Sequence, residues 1–345
     1  MDNNEIFAIF AQSKTIRQIM LNESSKTRVV GVDITHEGTA FAVVDVRGNI
    51  LAKDSVSTLD YPNINDFVAQ LSEKIVMLAE QTCGYENVRS VGLSVSSGNF
   101  LTGCIENAFS LPWRGVVPLA AMLRDRLGIA VALGNDAHVR ALGEYTYGSA
   151  HGMRNFVVIT LGYGLGSCIF SHGHAHLGAN GFAGEIGHTC VVPGGRECGC
   201  GRQGCLEAYC AAEGIVATAR ELMAESGERS LMRECEELTP KAIAEFCNQG
   251  DQLAIEVYRR TGHILGIGLA NYASVLNPEA IVLTGGIARA GKWLFVPTND
   301  SFEEHVFHNV QNRIRILASA LSNVDRDLLG ASALAWRVKE YSLFK

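Results

Sequence analysis

Between Gly184 and Glu207 the chain reads GEIGHTCVVPGGRECGCGRQGCLE. One histidine and three cysteines stand in close order: His188, Cys198, Cys200 and Cys205. Gly194, Gly195, Gly199, Gly201 and Gly204 are packed among them. A tetrahedral zinc site needs four nitrogen or sulfur ligands converging at about 2.0–2.3 Å. Imidazole and thiolate are ligand types that zinc prefers, and a chain wraps a point that tightly only where Cβ clashes are removed, as glycine does. The pattern predicts a structural zinc loop held by His188, Cys198, Cys200 and Cys205. The competing reading is scattered buried thiols, since free cysteine is among the most buried residue types; Cys190 and Cys210, which flank the loop, fit that description. Glu185 precedes His188 and Glu207 follows Cys205. If a metal pins the loop it fixes both carboxylates, and paired acids at a rigid site suit recognition of vicinal hydroxyls on a sugar. Glu207 also opens the next helix, where an acid favours the positive end of the dipole.

The 345 residues are enough for two domains with real cores. With 47% hydrophobic residues the composition is globular. A formal net charge of −7 excludes a general nucleic-acid surface, which needs clustered Lys and Arg. No apolar run approaches the roughly 20 residues of a membrane span. The short IFAIFA run, residues 6–11, lacks the basic flank of a signal peptide. Ten cysteines, with a metal pattern among them, suggest a reducing cytoplasm. The expectation is a cytoplasmic protein with neither nucleic acid nor membrane as partner.

Residues 1–28 precede the first strand, and Ile6, Phe7, Ile9, Phe10, Ile16, Ile19 and Met20 recur at helical spacing. Strands are expected over Arg28–Ile34 and Thr39–Val46, a helix over Asp60–Cys83, and a strand over Val88–Asn99 running into a glycine loop. A short apolar strand leads to Asn135-Asp136-Ala137. A carboxylate at such a strand-to-helix junction can take a proton from a hydroxyl; it can equally cap the following helix. Phe156–Phe170 reads as two strands joined by TLGYGLG, where Gly162, Gly164 and Gly166 free backbone N–H groups to cradle a phosphate. Helices follow from Glu207 to about Gly268. A buried strand then ends in Thr284-Gly285-Gly286, and a last helix, Leu328–Trp336, carries a small-residue face.

EIGH followed by CGCGRQGCLE, with the NDA and TLGYGLG segments upstream, closely resembles the ROK family (repressors, open reading frames and kinases), nearest its glucokinase-like branch. The resemblance runs from Val29 to Trp336. It implies an α/β fold of the actin/hexokinase type: two ribonuclease-H-like domains around a cleft, with a zinc-binding loop. Residues 1–28 would be an extension, 29–134 a small N-terminal α/β domain and 135–345 a larger C-terminal one, whose helix 326–338 packs back on the first. The implied activity is ATP-dependent phosphorylation of a hexose, glucose first among the candidates. Asp136 would be the general base. Asn135, Asp136, Glu185, His188, Glu207 and Ser110 would hold the sugar, with His188 using one ring nitrogen for zinc and the other for the sugar. Asp33, Thr160, Gly162, Gly164, Gly166, Gly285 and Gly286 would hold Mg²⁺ and ATP. Relatives are commonly dimers or tetramers, which implies a homo-oligomer here.

Three segments depart from the family pattern. Kinases of this family resemble D-x-G-G-T at the first phosphate turn; here DITHEGT puts Thr35 and His36 where two glycines are expected, and Glu37 adds negative charge. Ser110 replaces an asparagine that serves the sugar, with Asn107 three residues earlier, and Tyr163 replaces a threonine. These departures keep two alternatives in view: a sugar-binding sensor or degraded paralogue without catalysis, and a regulator of the repressor branch. The second would lack its reader, since about 25 residues with one candidate helix cannot form a helix-turn-helix module.

Overall fold

The computed structural model describes residues 26–108, 110–322 and 325–338. The helix expected between Ile6 and Met20 lies outside the described residues. The chain forms two compact units: one runs to Gly143 and resumes at Asp325, and the other takes the chain from Glu144 to that point. Among the described residues no helix is long and apolar enough to cross a membrane.

The first unit is built on β1 (Arg28–Ile34), β2 (Gly38–Asp45), β3 (Ile50–Ser57), β4 (Val88–Val95) and β8 (Ala130–Asn135), in the order β3-β2-β1-β4-β8. β1, β2 and β3 pair antiparallel; β4 lies parallel to β1, and β8 parallel to β4. Strand side chains alternate between faces, and both faces of β1 are covered. Val30, Val32 and Ile34 share a core with Phe67, Leu71 and Ile75 of α1 (Ile64–Thr82) and with Leu123 of α2 (Leu119–Leu127). Asn63 caps α1, its side chain accepting the Asn65 N–H at 2.9 Å. On the opposite face Val29, Ala42 and Val44 pack with Leu328 and Ala335 of α9 (Arg326–Arg337).

Two glycines set how closely α9 approaches. Gly31 and Gly92 are paired across β1 and β4. A Cβ on Gly31 would stand 2.3 Å from the Leu328 carbonyl oxygen, and one on Gly92 2.0 Å from that of Ala331. The helix therefore rests on strand backbone, and its Ala-Ser-Ala face is what permits this. Ser90 adds a hydroxyl donated to the Ala335 carbonyl at 2.8 Å.

Two stretches differ from the sequence expectation. The strand from Val88 stops at Val95, and a small antiparallel sheet follows, made of β5 (Gly98–Asn99), β6 (Cys104–Glu106) and β7 (Val116–Val117). The edge strand β3 was not anticipated, because its Lys53, Asp54 and Ser55 face water; charge on an edge strand discourages further pairing.

The second unit repeats the sheet pattern. β9 (Phe156–Leu161), β10 (Leu165–Ser171), β11 (His174–Ala175), β12 (Ala280–Thr284) and β13 (Arg315–Ala318) lie in the order β11-β10-β9-β12-β13. β9, β10 and β11 are antiparallel; β12 and β13 continue parallel to β9. The senses along this sheet match those of the first. β9 and β12 are buried at every position, as central strands covered on both faces must be. Their apolar residues join a core with the short α4 (Glu207–Cys210), α5 (Ala212–Glu225), α6 (Pro240–Asn248), α7 (Gln252–Leu276) and α8 (Lys292–His305).

Gly92→Ala is expected to cost about 1–3 kcal/mol, the usual penalty for forcing atoms into a filled space, and to lower the melting temperature. Gly227→Ala, whose Cβ meets nothing within 4 Å and whose backbone lies outside the left-handed region, controls for the loss of glycine's freedom alone. Thermal melting that ranks Gly92→Ala no lower than the control would contradict the contact.

Candidate functional site

In the first unit the chemistry gathers at the carboxyl ends of β1 and β8. Asp33 is the penultimate residue of β1, and the turn beyond the strand closes when the Thr35 N–H and hydroxyl both donate to the Gly38 carbonyl, at 3.0 and 2.8 Å. The turn carries His36, whose Nδ1 lies 2.6 Å from the Ser110 carbonyl oxygen. Since a carbonyl only accepts, Nδ1 holds the proton in this contact. Two of the positions that depart from the family pattern are thus in contact. An open pocket of about 450 Å³ is lined by Asp33, Thr35, Glu37, Gly38 and Ser55, among others.

β8 ends at Asn135, and Asp136 begins α3 (Asp136–Tyr147). The Ala137 N–H is shared between Asn135 Oδ1 and Asp136 Oδ1, each at 2.9 Å. Asp136 therefore does some of the capping work read as its alternative role. Its second oxygen accepts from Arg140 Nη1 at 3.0 Å, and Arg140 Nε donates to Asp327 of α9. Neither Arg140 nor Asp327 was singled out from sequence. The four-residue spacing of Asp136 and Arg140 on a helix was the available signal; nothing in sequence ties either to Asp327, 187 residues from Arg140.

Asp33 sits close to this group. Burial, and then the negative charge of Asp327, lift its pKa from an ordinary 3.8 to about 7. A buried carboxyl with charged neighbours in a pocket is a common mark of a functional position.

In the second unit the β9–β10 hairpin presents Gly162, Gly164 and Gly166. The Gly162 N–H donates to the Gly164 carbonyl at 3.0 Å. Glu207 reaches the same hairpin, its Oε2 accepting the Leu165 N–H at 2.8 Å. A Cβ on Gly164 would lie 2.9 Å from that oxygen, so glycine there lets the carboxylate approach. Thr160 faces Gly166 on one side and Thr284 on the other. Its hydroxyl is buried and has no hydrogen-bond partner among the described residues. Gly285 has φ +101°, and a Cβ there would stand 2.1 Å from the Leu161 carbonyl oxygen. The ends of β9 and β12 meet through it.

His188, Cys198, Cys200 and Cys205 converge, with one donor atom from each within 4.8 Å of the others. Cys200 Sγ is 3.7 Å from Cys205 Sγ, and Cys198 Sγ is 3.7 Å from His188 Nδ1. A disulfide would need about 2.05 Å. Two sulfurs at 2.3 Å from one ion, at the tetrahedral angle, stand about 3.8 Å apart. The four donors can hold a tetrahedral ion, with His188 Nδ1 on the metal side. Glu207 is adjacent, its Oε1 3.8 Å from Cys198 Sγ. Glu185 directly precedes the 3₁₀ turn Ile186–His188 that carries the histidine. Cys210 is fully buried, whereas Cys190 is exposed and so departs from the buried-thiol reading.

Arg196 ties this loop to the helices. It donates to the Gly214 carbonyl at 2.9 Å and to Thr218 Oγ1 at 3.0 Å, and it lies 4.7 Å over the Tyr209 ring. The Tyr209 hydroxyl in turn accepts the Arg196 N–H at 2.8 Å.

The raised pKa of Asp33 has a consequence for stability. The folded carboxyl keeps its proton where the unfolded one has lost it, so Asp33 erodes stability as pH rises from about 4 to about 7. Asp33→Asn is expected to melt like the parent near pH 4 and above it at pH 8, by on the order of 2 kcal/mol. Melting curves with no pH-dependent gap would contradict the burial of this charge.

The ROK family model matches residues 29–338. A glucokinase of Halalkalibacterium halodurans is 33% identical over 321 residues, covering 90% of this chain and 94% of that protein. The DNA-binding transcriptional dual regulator NagC of Escherichia coli is 31% identical over 220 residues, covering 64% of this chain and 53% of that protein. The crystal structure of a ROK family glucokinase from Streptomyces griseus, in complex with glucose and AMPPNP, is similar with a TM-score of 0.73 at 30% identity. It covers 90% of this chain and 100% of that one. A family match over nearly the whole chain, with the convergent His/Cys loop and the Asn135-Asp136 junction, leads to one conclusion: the chain belongs to the ROK family.

Proposed function

We propose that the chain is an ATP-dependent hexose kinase, with glucose its first candidate substrate. The observation that carries this is the near full-length similarity to glucokinases, including one solved with glucose and AMPPNP, together with an Asn-Asp pair at a strand-to-helix junction. Asp136 is the general base. An ionised carboxylate offers about four acceptor positions; Ala137 and Arg140 occupy two, leaving others for a sugar hydroxyl. Asn135, Glu185, His188, Glu207 and Ser110 are assigned to the sugar. His188 would do so through Nε2, since Nδ1 faces Cys198. Because Glu207 also bonds the hairpin through Oε2, it links a sugar ligand to the glycine turn in one side chain.

Asp33, Thr160, Gly162, Gly164, Gly166, Gly285 and Gly286 are assigned to ATP and its Mg²⁺. The unpartnered Thr160 hydroxyl supports a polar ligand there. The magnesium ion, when bound, neutralises developing phosphate charge. Phosphoryl transfer then asks the protein mainly for positioning and one base. The His/Cys donor set fits zinc by type and spacing, and zinc would hold the loop that carries His188 and Glu207.

A second reading, a sugar sensor without catalysis, is favoured by one observation. Thr35 and His36 occupy the turn where this family places glycine, and Glu37 lines the pocket beside Asp33. Side chains and negative charge there oppose close approach of a phosphate.

A coupled ADP-release assay on zinc-loaded protein, with Mg·ATP and a panel of hexoses, separates the two. Sugar-dependent turnover is expected, falling by about 10²–10⁴-fold in Asp136→Asn, the usual contribution of a general base. Absence of turnover, with a hexose still raising the melting temperature while ATP does not, would overturn the kinase and leave the sensor. Metal analysis is expected to find about one zinc per chain, and chelation to lower the melting temperature, because metal-binding energy in such a loop is folding energy.

A further inference from the structure

Arg140 stands one helical turn beyond Asp136 on α3 and holds two carboxylates at once. Nη1 donates to Asp136 Oδ2 at 3.0 Å and Nε to Asp327 Oδ1 at 2.5 Å. A second guanidinium, Arg326, lies 3.6 Å from the same Asp327 oxygen. On an exposed helix an i,i+4 ion pair is worth little. Here the Arg140 side chain is 17% exposed and that of Asp327 18%. In such a setting the fork of a guanidinium, with donors in fixed directions, sets the orientation of what it holds. Burial by itself would make the guanidinium easier to deprotonate, but Asp136 and Asp327 outweigh it and hold the charge firmly.

We infer that Arg140 is a positioning residue for phosphoryl transfer: braced by Asp327, it fixes the orientation in which the Asp136 carboxylate accepts the sugar proton. The inference rests on the kinase reading above. The Ala137 N–H holds Oδ1 and Arg140 holds Oδ2, so the carboxylate plane is set by two donors from α3 itself. Only the second is adjustable by a side chain, and that side chain is anchored on a different helix. Orientation is what the fork supplies, and misplacement of a reacting group by about 1 Å can cost on the order of 10² in rate. Asp327, which touches no reacting atom, acts through Arg140.

The test uses the zinc-loaded full chain and the hexose that it turns over. Arg140→Met keeps the stem and removes the fork; Arg140→Lys keeps the charge as a single point; Asp327→Asn removes the brace. Arg140→Met is expected to lower kcat by about 10–100-fold, with KM for hexose and for Mg·ATP within about twofold of the parent. Asp327→Asn should lower kcat by about 3–10-fold, since the fork stays but loses its anchor. Arg140→Lys should recover only part of the loss, because an ammonium cannot reach both carboxylates in fixed geometry. Added to Asp136→Asn, Arg140→Met should cost nothing more.

Parental kcat in Arg140→Met, a loss confined to KM, or a further loss on top of Asp136→Asn would each overturn the inference. If Arg140→Met fails to fold, Asp327→Asn and Arg140→Lys decide on the same readings, with melting temperatures recorded alongside. An Asp136→Asn variant as active as the parent, or a parent that phosphorylates no hexose, overturns the kinase reading and this inference together. An inactive Asp136→Asn beside a fully active Arg140→Met overturns this inference alone.

Discussion

The order of the glycine-rich stretch from Gly184 to Glu207 depends on four donor atoms meeting at one point. Cys198 and Cys205 are buried, but Cys200 and most of the loop around it are exposed, so little apolar surface is available to hold the backbone. The organising contacts are the 3.7 Å sulfur–sulfur and sulfur–nitrogen approaches and the Arg196 clamp onto α5 and Tyr209. What the loop carries follows from this. Glu207 leaves the last cysteine and reaches the β9–β10 hairpin, so donor cluster, carboxylate and glycine turn form one connected piece. A change at a cysteine would therefore reach the hairpin without altering any residue of it.

A different constraint governs the first unit. There α9 lies on the backbone of β1 and β4, and glycine at positions 31 and 92 is the condition for that approach. The close seat brings Asp327 to Arg140 and so to Asp136. It also crowds negative charge near Asp33, whose carboxyl resists ionisation near neutral pH. Such a group weakens the fold above its unfolded pKa.

Elements with strong local signals are legible in the sequence. β1, β9 and β12 are mostly apolar runs, and the donor cluster is visible because cysteine, histidine and glycine at short spacing have few other uses. The exposed edge strand β3 was not legible, because its Lys53-Asp54-Ser55 run lacks the apolar alternation by which strands are recognised. The β5–β7 sheet was missed because strands of two or three residues are too short to show a period. The contact between His36 and Ser110 was hidden for another reason. Each departs from the family pattern at its own place in the sequence, and only folding puts the ring nitrogen on the carbonyl. The Arg140–Asp327 pair is the same case at longer range, since pattern along one helix cannot reveal a partner on another.

Zinc on three thiolates and one imidazole is what would order the loop. Zinc K-edge X-ray absorption on the purified protein tests it directly. Zinc held by this donor set gives a four-coordinate site with about three sulfurs at 2.3 Å and one nitrogen near 2.0 Å. A shell of oxygen and nitrogen alone, or a protein that folds and melts identically with no zinc bound, would contradict it.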